Sequence, residues 1–81
     1  MLTKHQGKLI GYLGNFLENE GHAPSYDQIA KAIGLNSKSC ASRLVHALKD
    51  RGLIEVPPNK RRALTLTEEG WMWAKRNEWK V

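Results

Sequence analysis

The stretch SYDQIAKAIGLNSKSCASRL, residues 25–44, is punctuated more closely than an ordinary amphipathic helix. Ser25 with Gln28 three residues later reads as a capping box, which satisfies free N–H groups at a helix start. Ile29, Ala30 and Ile33 supply the apolar side of a two-turn helix, and Gly34 stops it. Only Leu35 and Asn36 separate that glycine from Ser37, which caps a further helix running to about Arg51, with Gly52 as its stop. Two short helices meeting across so tight a turn have helix-turn-helix spacing.

Working outward, Thr3 with Gln6 is an earlier capping box, and Leu9, Ile10, Leu13, Phe16 and Leu17 recur at helical spacing up to Gly21. After Gly52 the period changes. LIEV (53–56) and ALTL (63–66) are short, strand-like runs rich in branched side chains, and PPNKRR between them would form the tip of a basic wing. Thr67 caps a last helix, with Glu68 and Glu69 in the first turn where the helix dipole favours carboxylates, although Gly70 weakens its start. The expected fold is mainly α with a small β-hairpin. It is a winged helix-turn-helix of three helices plus wing plus C-terminal helix, forming one domain over residues 1–81.

Charge narrows the function. The net charge is +5. Residues 1–35 and 63–81 each balance to zero, so the excess falls in residues 36–62, where Asp50 and Glu55 stand against seven basic side chains. A basic excess can serve solubility alone; concentrated in one third of the chain, it points to a polyanion. On the third helix, Ala41, Leu44, Val45 and Leu48 share one side, while Ser39, Ser42, Arg43, His46, Lys49 and Asp50 share the other. Lys38, Cys40 and Ala47 stand at the borders. A solvated face normally mixes acids with bases, and this one has no acid before Asp50. It suits a major groove, where arginine forks onto guanine and serine contacts several base edges. Asn59, Lys60, Arg61 and Arg62 suit phosphates or a minor groove.

Residues 2–55 resemble the N-terminal DNA-binding domain of the LexA repressor family. The resemblance rests on the joint spacing of Leu2, Thr3, Gln6, Gly21, Pro24, Ile29, Ala30, Gly34, Ser37, Ala41, Ala47, Leu48, Gly52, Ile54 and Glu55. It implies a winged helix-turn-helix repressor that reads DNA through its third helix, with Ser39, Cys40, Ser42 and Arg43 as base-reading positions. The family tends to be acidic where Ser42 and Arg43 stand, so a different preferred DNA sequence is implied. PPNKRR is also more basic than the family's glycine-containing wing. That family adds a Ser/Lys self-cleaving domain which makes the dimer; 81 residues leave no room for one, so self-cleavage is not carried over. ALTLTEEG resembles instead the strand-to-helix passage of MarR-type winged-helix regulators.

The remaining features carry two readings each. Cys40 is either a small packing residue at the edge of the reading face or, near a helix start, a redox-sensitive thiol. His46 either contacts DNA or is solvated, and His5 and His22 read as surface residues. On the last helix Trp71, Met72 and Trp79 share a face, with Trp73 roughly opposite and so exposed or covered by a partner. Gly7, Gly11 and Gly14 form a stripe on the first helix, each costing about 1 kcal/mol against alanine. Close approach of another helix would explain them, and a second subunit's tryptophan helix is one candidate. Gly7, Gly11, Gly14, Trp71, Trp73 and Trp79 are thus the candidate homodimer contacts.

The expected function is sequence-specific binding of double-stranded DNA by a small cytoplasmic transcriptional regulator. Its base readers are Ser39, Cys40, Ser42, Arg43 and His46. Its backbone and wing contacts are Ser25, Tyr26, Ser37, Lys38, Lys49, Asn59, Lys60, Arg61 and Arg62. The competing class is a winged-helix module that binds a macromolecular partner without DNA preference. An enzyme has little support: there is no glycine-rich phosphate loop and no Cys/His set with metal-ligand spacing, so neither cofactor nor metal is expected. No small-molecule ligand is evident. The longest apolar runs are far too short for a membrane span, and MLTKHQGKL lacks the core of a secretory leader.

Overall fold

The computed structural model describes residues 2–56 and 64–76. In chain order the elements are α1 (Lys4–Glu20), α2 (Tyr26–Ile33), α3 (Lys38–Asp50), β1 (Ile54–Glu55), β2 (Thr65–Leu66) and α4 (Glu68–Arg76). Both N-terminal capping boxes form. Thr3 Oγ1 accepts from Gln6 N at 3.2 Å while Gln6 Oε1 accepts from Thr3 N at 3.1 Å. The Ser25–Gln28 pair does the same at 3.1 and 2.8 Å.

The two glycine stops on either side of α3 share one device. Gly34 has φ +77°, and the Leu35 N–H returns to the Ala30 carbonyl at 2.8 Å. Gly52 has φ +78°, with Leu53 N bonded to Leu48 O at 3.0 Å and Gly52 N to Lys49 O at 2.9 Å. These are left-handed C-terminal caps that satisfy orphan carbonyls and turn the chain sharply. β1 and β2 then pair antiparallel, Ile54 opposite Leu66 and Glu55 opposite Thr65. The wing tip PPNKRR lies outside the described residues.

The core draws on every element. Leu9, Ile10 and Leu13 of α1 meet Ile29 and Ile33 of α2, Ala41, Val45 and Leu48 of α3, and Leu53, Ile54, Leu64 and Leu66 around the hairpin. Phe16 and Leu17 are half-buried at the far end of the α1 stripe. Phe16 packs against the rings of Tyr12 and His22, at 5.8 and 5.5 Å between centroids. No buried polar side chain interrupts the core among the described residues. None of the described helices is long and apolar enough to cross a membrane.

Thr67 joins α4 to the exit of α3. Its hydroxyl oxygen accepts from Gly70 N at 3.0 Å, as a cap, and donates to the Gly52 carbonyl at 2.7 Å. Its own N–H bonds the Leu53 carbonyl at 3.1 Å. α4 then packs on α1 and β2.

This packing corrects the sequence reading of the glycine stripe and the tryptophans. Gly7, Gly11 and Gly14 are buried within the chain. The helix that approaches Gly14 is the chain's own α4, not that of a second subunit: a Cβ at Gly14 would stand 2.8 Å from the Ala74 Cβ and 3.5 Å from Trp71 Cζ3. Trp73 is not the exposed member of α4. It is half-buried against the core with Trp71, while Met72 is 59% exposed. Small residues, Gly70 and Ala74, form the buried side of α4, which rotates Met72 outward. Trp79 lies outside the described residues.

The packing makes two glycines intolerant of a gain in helix propensity. Gly14→Ala should lower stability by about 1–3 kcal/mol, because overpacking outweighs the roughly 1 kcal/mol that alanine offers a helix. Gly70→Ala should cost more, since its Cβ would collide with the Leu53 carbonyl that Thr67 N already holds. Urea denaturation checks both. An alanine at either site that leaves the midpoint unchanged or raises it would contradict this packing.

Candidate nucleic-acid interface

α2 and α3 pack on each other through Ile29, Ala30, Ile33, Ala41 and Val45, so the opposite side of α3 faces outward. Lys38, Ser39, Arg43, His46, Lys49 and Asp50 are exposed there, and Cys40 and Ser42 are half-buried beside them. The structure therefore brings the five base-reading candidates of α3 onto one surface. Ser37 is exposed at the head of that surface. Its hydroxyl oxygen accepts weakly from Cys40 N at 3.4 Å and lies 3.6 Å from Cys40 Sγ, toward which it donates. Ser25 and Tyr26 stand half-buried at the start of α2. Asn59, Lys60, Arg61 and Arg62 lie outside the described residues.

Three residues that the sequence reading left out of the interface stand at or near this surface. Asp27, in the first turn of α2, places Oδ2 3.9 Å from Lys38 Nζ, with both side chains largely exposed. It is a carboxylate set beside a predicted phosphate contact, and only the turn geometry reveals it. His5, at the start of α1, borders a shallow groove of about 260 Å³ with Leu35, Cys40, Arg43, Leu44 and Ala47. The start of α1 thus forms a bank of this candidate face. Arg51, just past α3, donates from Nη1 to Gln6 Oε1 at 3.3 Å, linking the end of α3 to the cap of α1. The basic cluster in residues 36–62 was the available signal for Arg51; no sequence signal marked His5 or Asp27.

A face of short polar groups and one forked cation, whose ion pair among the described residues is the exposed Lys38–Asp27 contact, can approach a polyanion closely.

Residues 1–63 match the family model described as the LexA DNA binding domain. The chain belongs to the LexA DNA-binding domain family. Among its relatives, the LexA repressor of Novosphingobium aromaticivorans is 39% identical over 69 residues and that of Erythrobacter litoralis 41% over 69 residues. Each alignment covers 85% of this chain and 30% of the relative, so the chain spans less than a third of these LexA repressors. Similar solved structures are winged-helix regulators. MepR of Staphylococcus aureus, a transcription regulator of the multidrug efflux pump MepA, superposes with a TM-score of 0.72 at 26% identity, over 94% of this chain and 55% of that one. A MarR-family protein of Mycobacterium tuberculosis gives 0.72 at 21% identity, over 94% and 51%, which speaks for the fold alone.

Asp27 gives this LexA-family surface a testable electrostatic feature. An exposed pair such as Lys38–Asp27 contributes about 0–1 kcal/mol, so a phosphate can compete for Lys38. Asp27→Asn should tighten duplex binding a few-fold on all sequences alike, measured by titration at fixed salt. A weaker or unchanged affinity would remove Asp27 from the interface.

Proposed function

We propose that this chain is a sequence-specific double-stranded-DNA-binding transcriptional regulator that lays α3 in the major groove. The observation that carries the reading is the outward face of α3. It presents Ser39, Ser42 and Arg43 without an intervening acid, on a helix whose approach is fixed by capped turns, in a chain of the LexA DNA-binding domain family. Arg43 reads a guanine by its paired donors, Ser39 and Ser42 touch neighbouring base edges, and Cys40 and His46 border that footprint. Lys38 and Lys49, with Ser25, Tyr26 and Ser37, hold the backbone. Asn59, Lys60, Arg61 and Arg62 on the wing follow the phosphates or enter the minor groove.

Specificity argues for two copies on DNA. A single module of this size buries about 600–1,000 Å², and two-fold dimers on half-sites one helical turn apart supply the rest of the discrimination. Both the homodimer and the repressor role belong to this proposal; MepR and the LexA repressors are its regulatory analogues.

Selection from a random duplex library at near-physiological salt tests the reading, since affinity depends steeply on salt. An enriched motif is the expected outcome. A bound pool without sequence preference would favour the competing function, a winged helix that docks on a protein. Within an enriched motif, Arg43→Ala should relax one base position. Arg61→Ala should weaken all sequences alike and reduce the slope of log affinity against log salt by about 1. Identical effects of the two changes on every sequence would overturn this division of roles.

A further inference from the structure

α1 and α4 touch at Gly14 and Ala74, and beside that contact they enclose a cleft of about 270 Å³. Gly11, Gly14, Asn15 and Glu18 line it from α1, and Trp71 and Lys75 from α4. Each set steps by three or four residues and is therefore one face of its helix. No sequence pattern marks the site, because its walls come from the first and last described helices and meet only in the fold.

The walls differ in chemistry. Trp71 is half-buried, with Cζ3 3.5 Å from where a Gly14 Cβ would stand, so its indole borders bare helix backbone. A planar aromatic group suits such a space, since ring-on-ring contact gains more than the area it buries. Asn15 adds an amide that can both donate and accept.

Charge narrows the occupant further. Glu18 on α1 and Lys75 on α4 are both exposed and border the same cleft. They are opposite in sign, yet they do not pair: among the described residues the ion pair is Lys38–Asp27. The two banks therefore hold an acceptor and a donor with room between them. A ligand bearing one positive and one negative group satisfies both, whereas a singly charged one satisfies only one. The volume lies just below the range of about 300–1,000 Å³ that drug-sized ligands occupy. It suits a metabolite of about a dozen non-hydrogen atoms.

We propose that this cleft binds a small aromatic zwitterion of the aromatic α-amino acid class. The ring lies beside Trp71 and the glycine backbone, the ammonium turns toward Glu18 and the carboxylate toward Lys75. The proposal goes beyond the DNA reading and uses none of the residues assigned to DNA. Because both charges are exposed and the ligand is small, the affinity is weak, with a Kd of about 1 mM.

NMR titration of the 15N-labelled chain with L-phenylalanine tests the site. The Trp71 indole N–H and the amides of Gly11, Gly14 and Ala74 should shift saturably, while those of α3 stay in place. Phenylacetate lacks the ammonium, phenethylamine lacks the carboxylate and free glycine lacks the ring, so each should bind at least about threefold more weakly. Two variants then assign the charges. Glu18→Gln should weaken L-phenylalanine about threefold but leave phenylacetate unaffected, and Lys75→Gln should weaken L-phenylalanine about as much but leave phenethylamine unaffected. Both positions are exposed, and circular dichroism shows that each variant is folded. The absence of a saturable shift up to the solubility limit of L-phenylalanine would overturn the proposal, as would shifts confined to another surface. Equal binding of phenylacetate, phenethylamine and L-phenylalanine would also overturn it, and so would variants that bind all probes as the wild type does.

Discussion

Between the last turn of α2 and the first of α3 the backbone must turn sharply in four residues, and the turn sets where α3 points. Gly34 supplies it by taking φ +77°, which costs a side-chain-bearing residue roughly 1–2 kcal/mol. Leu35 then closes onto Ala30 and packs against the core, and Ser37 is already in place to cap α3. With both ends of the turn tied to backbone groups, α3 has little freedom to rotate about its own axis. Ala41, Val45 and Leu48 therefore always face inward, and Ser39, Arg43 and His46 outward. The surface that would meet DNA follows from that constraint.

The opposite end of α3 is fixed in a related way. Gly52 reverses the chain, and its carbonyl and that of Leu53 are both taken by Thr67. One residue thus ties the exit of α3 to the return strand and the start of α4. α1 lies between the two halves of the domain, with α2 and α3 packed along it and α4 set against Gly14.

Caps and stops were legible in the sequence because they act locally: a hydroxyl reaches an N–H three residues on, and a glycine permits the backbone reversal beside it. Hence the boundaries of α1 to α3, the strand pair and the helix after Thr67 could be read before the fold. The face of α3 was legible too, since its apolar positions fix the helix's rotation. α4 was not. A helical wheel gives angles between Trp71, Met72 and Trp73, but the rotation against α1 is chosen by closeness of approach. Gly14 and Ala74 allow that approach, so the small residues turned inward and the largest apolar face did not. For the same reason the glycine stripe announced a neighbouring helix without saying whose. His5 and Asp27 escaped because neither stands out among its sequence neighbours. Each joins the reading face through packing between elements.

Charge behaves differently on the two outward helices, and the difference bears on what each surface meets. α4 carries acids at its start and bases at its end, two of each among the described residues, so its net field is small. α3 carries Lys38, Arg43 and Lys49 before its single acid, Asp50, and among the described residues Lys38 is its paired cation. An exposed pair like that one contributes about 1 kcal/mol at most. A phosphate oxygen can replace the Asp27 carboxylate with little loss, whereas a like-charged or neutral surface gains nothing by approaching. Unpaired cations ahead of a helix whose rotation is fixed are therefore a surface whose partner must bring the negative charge.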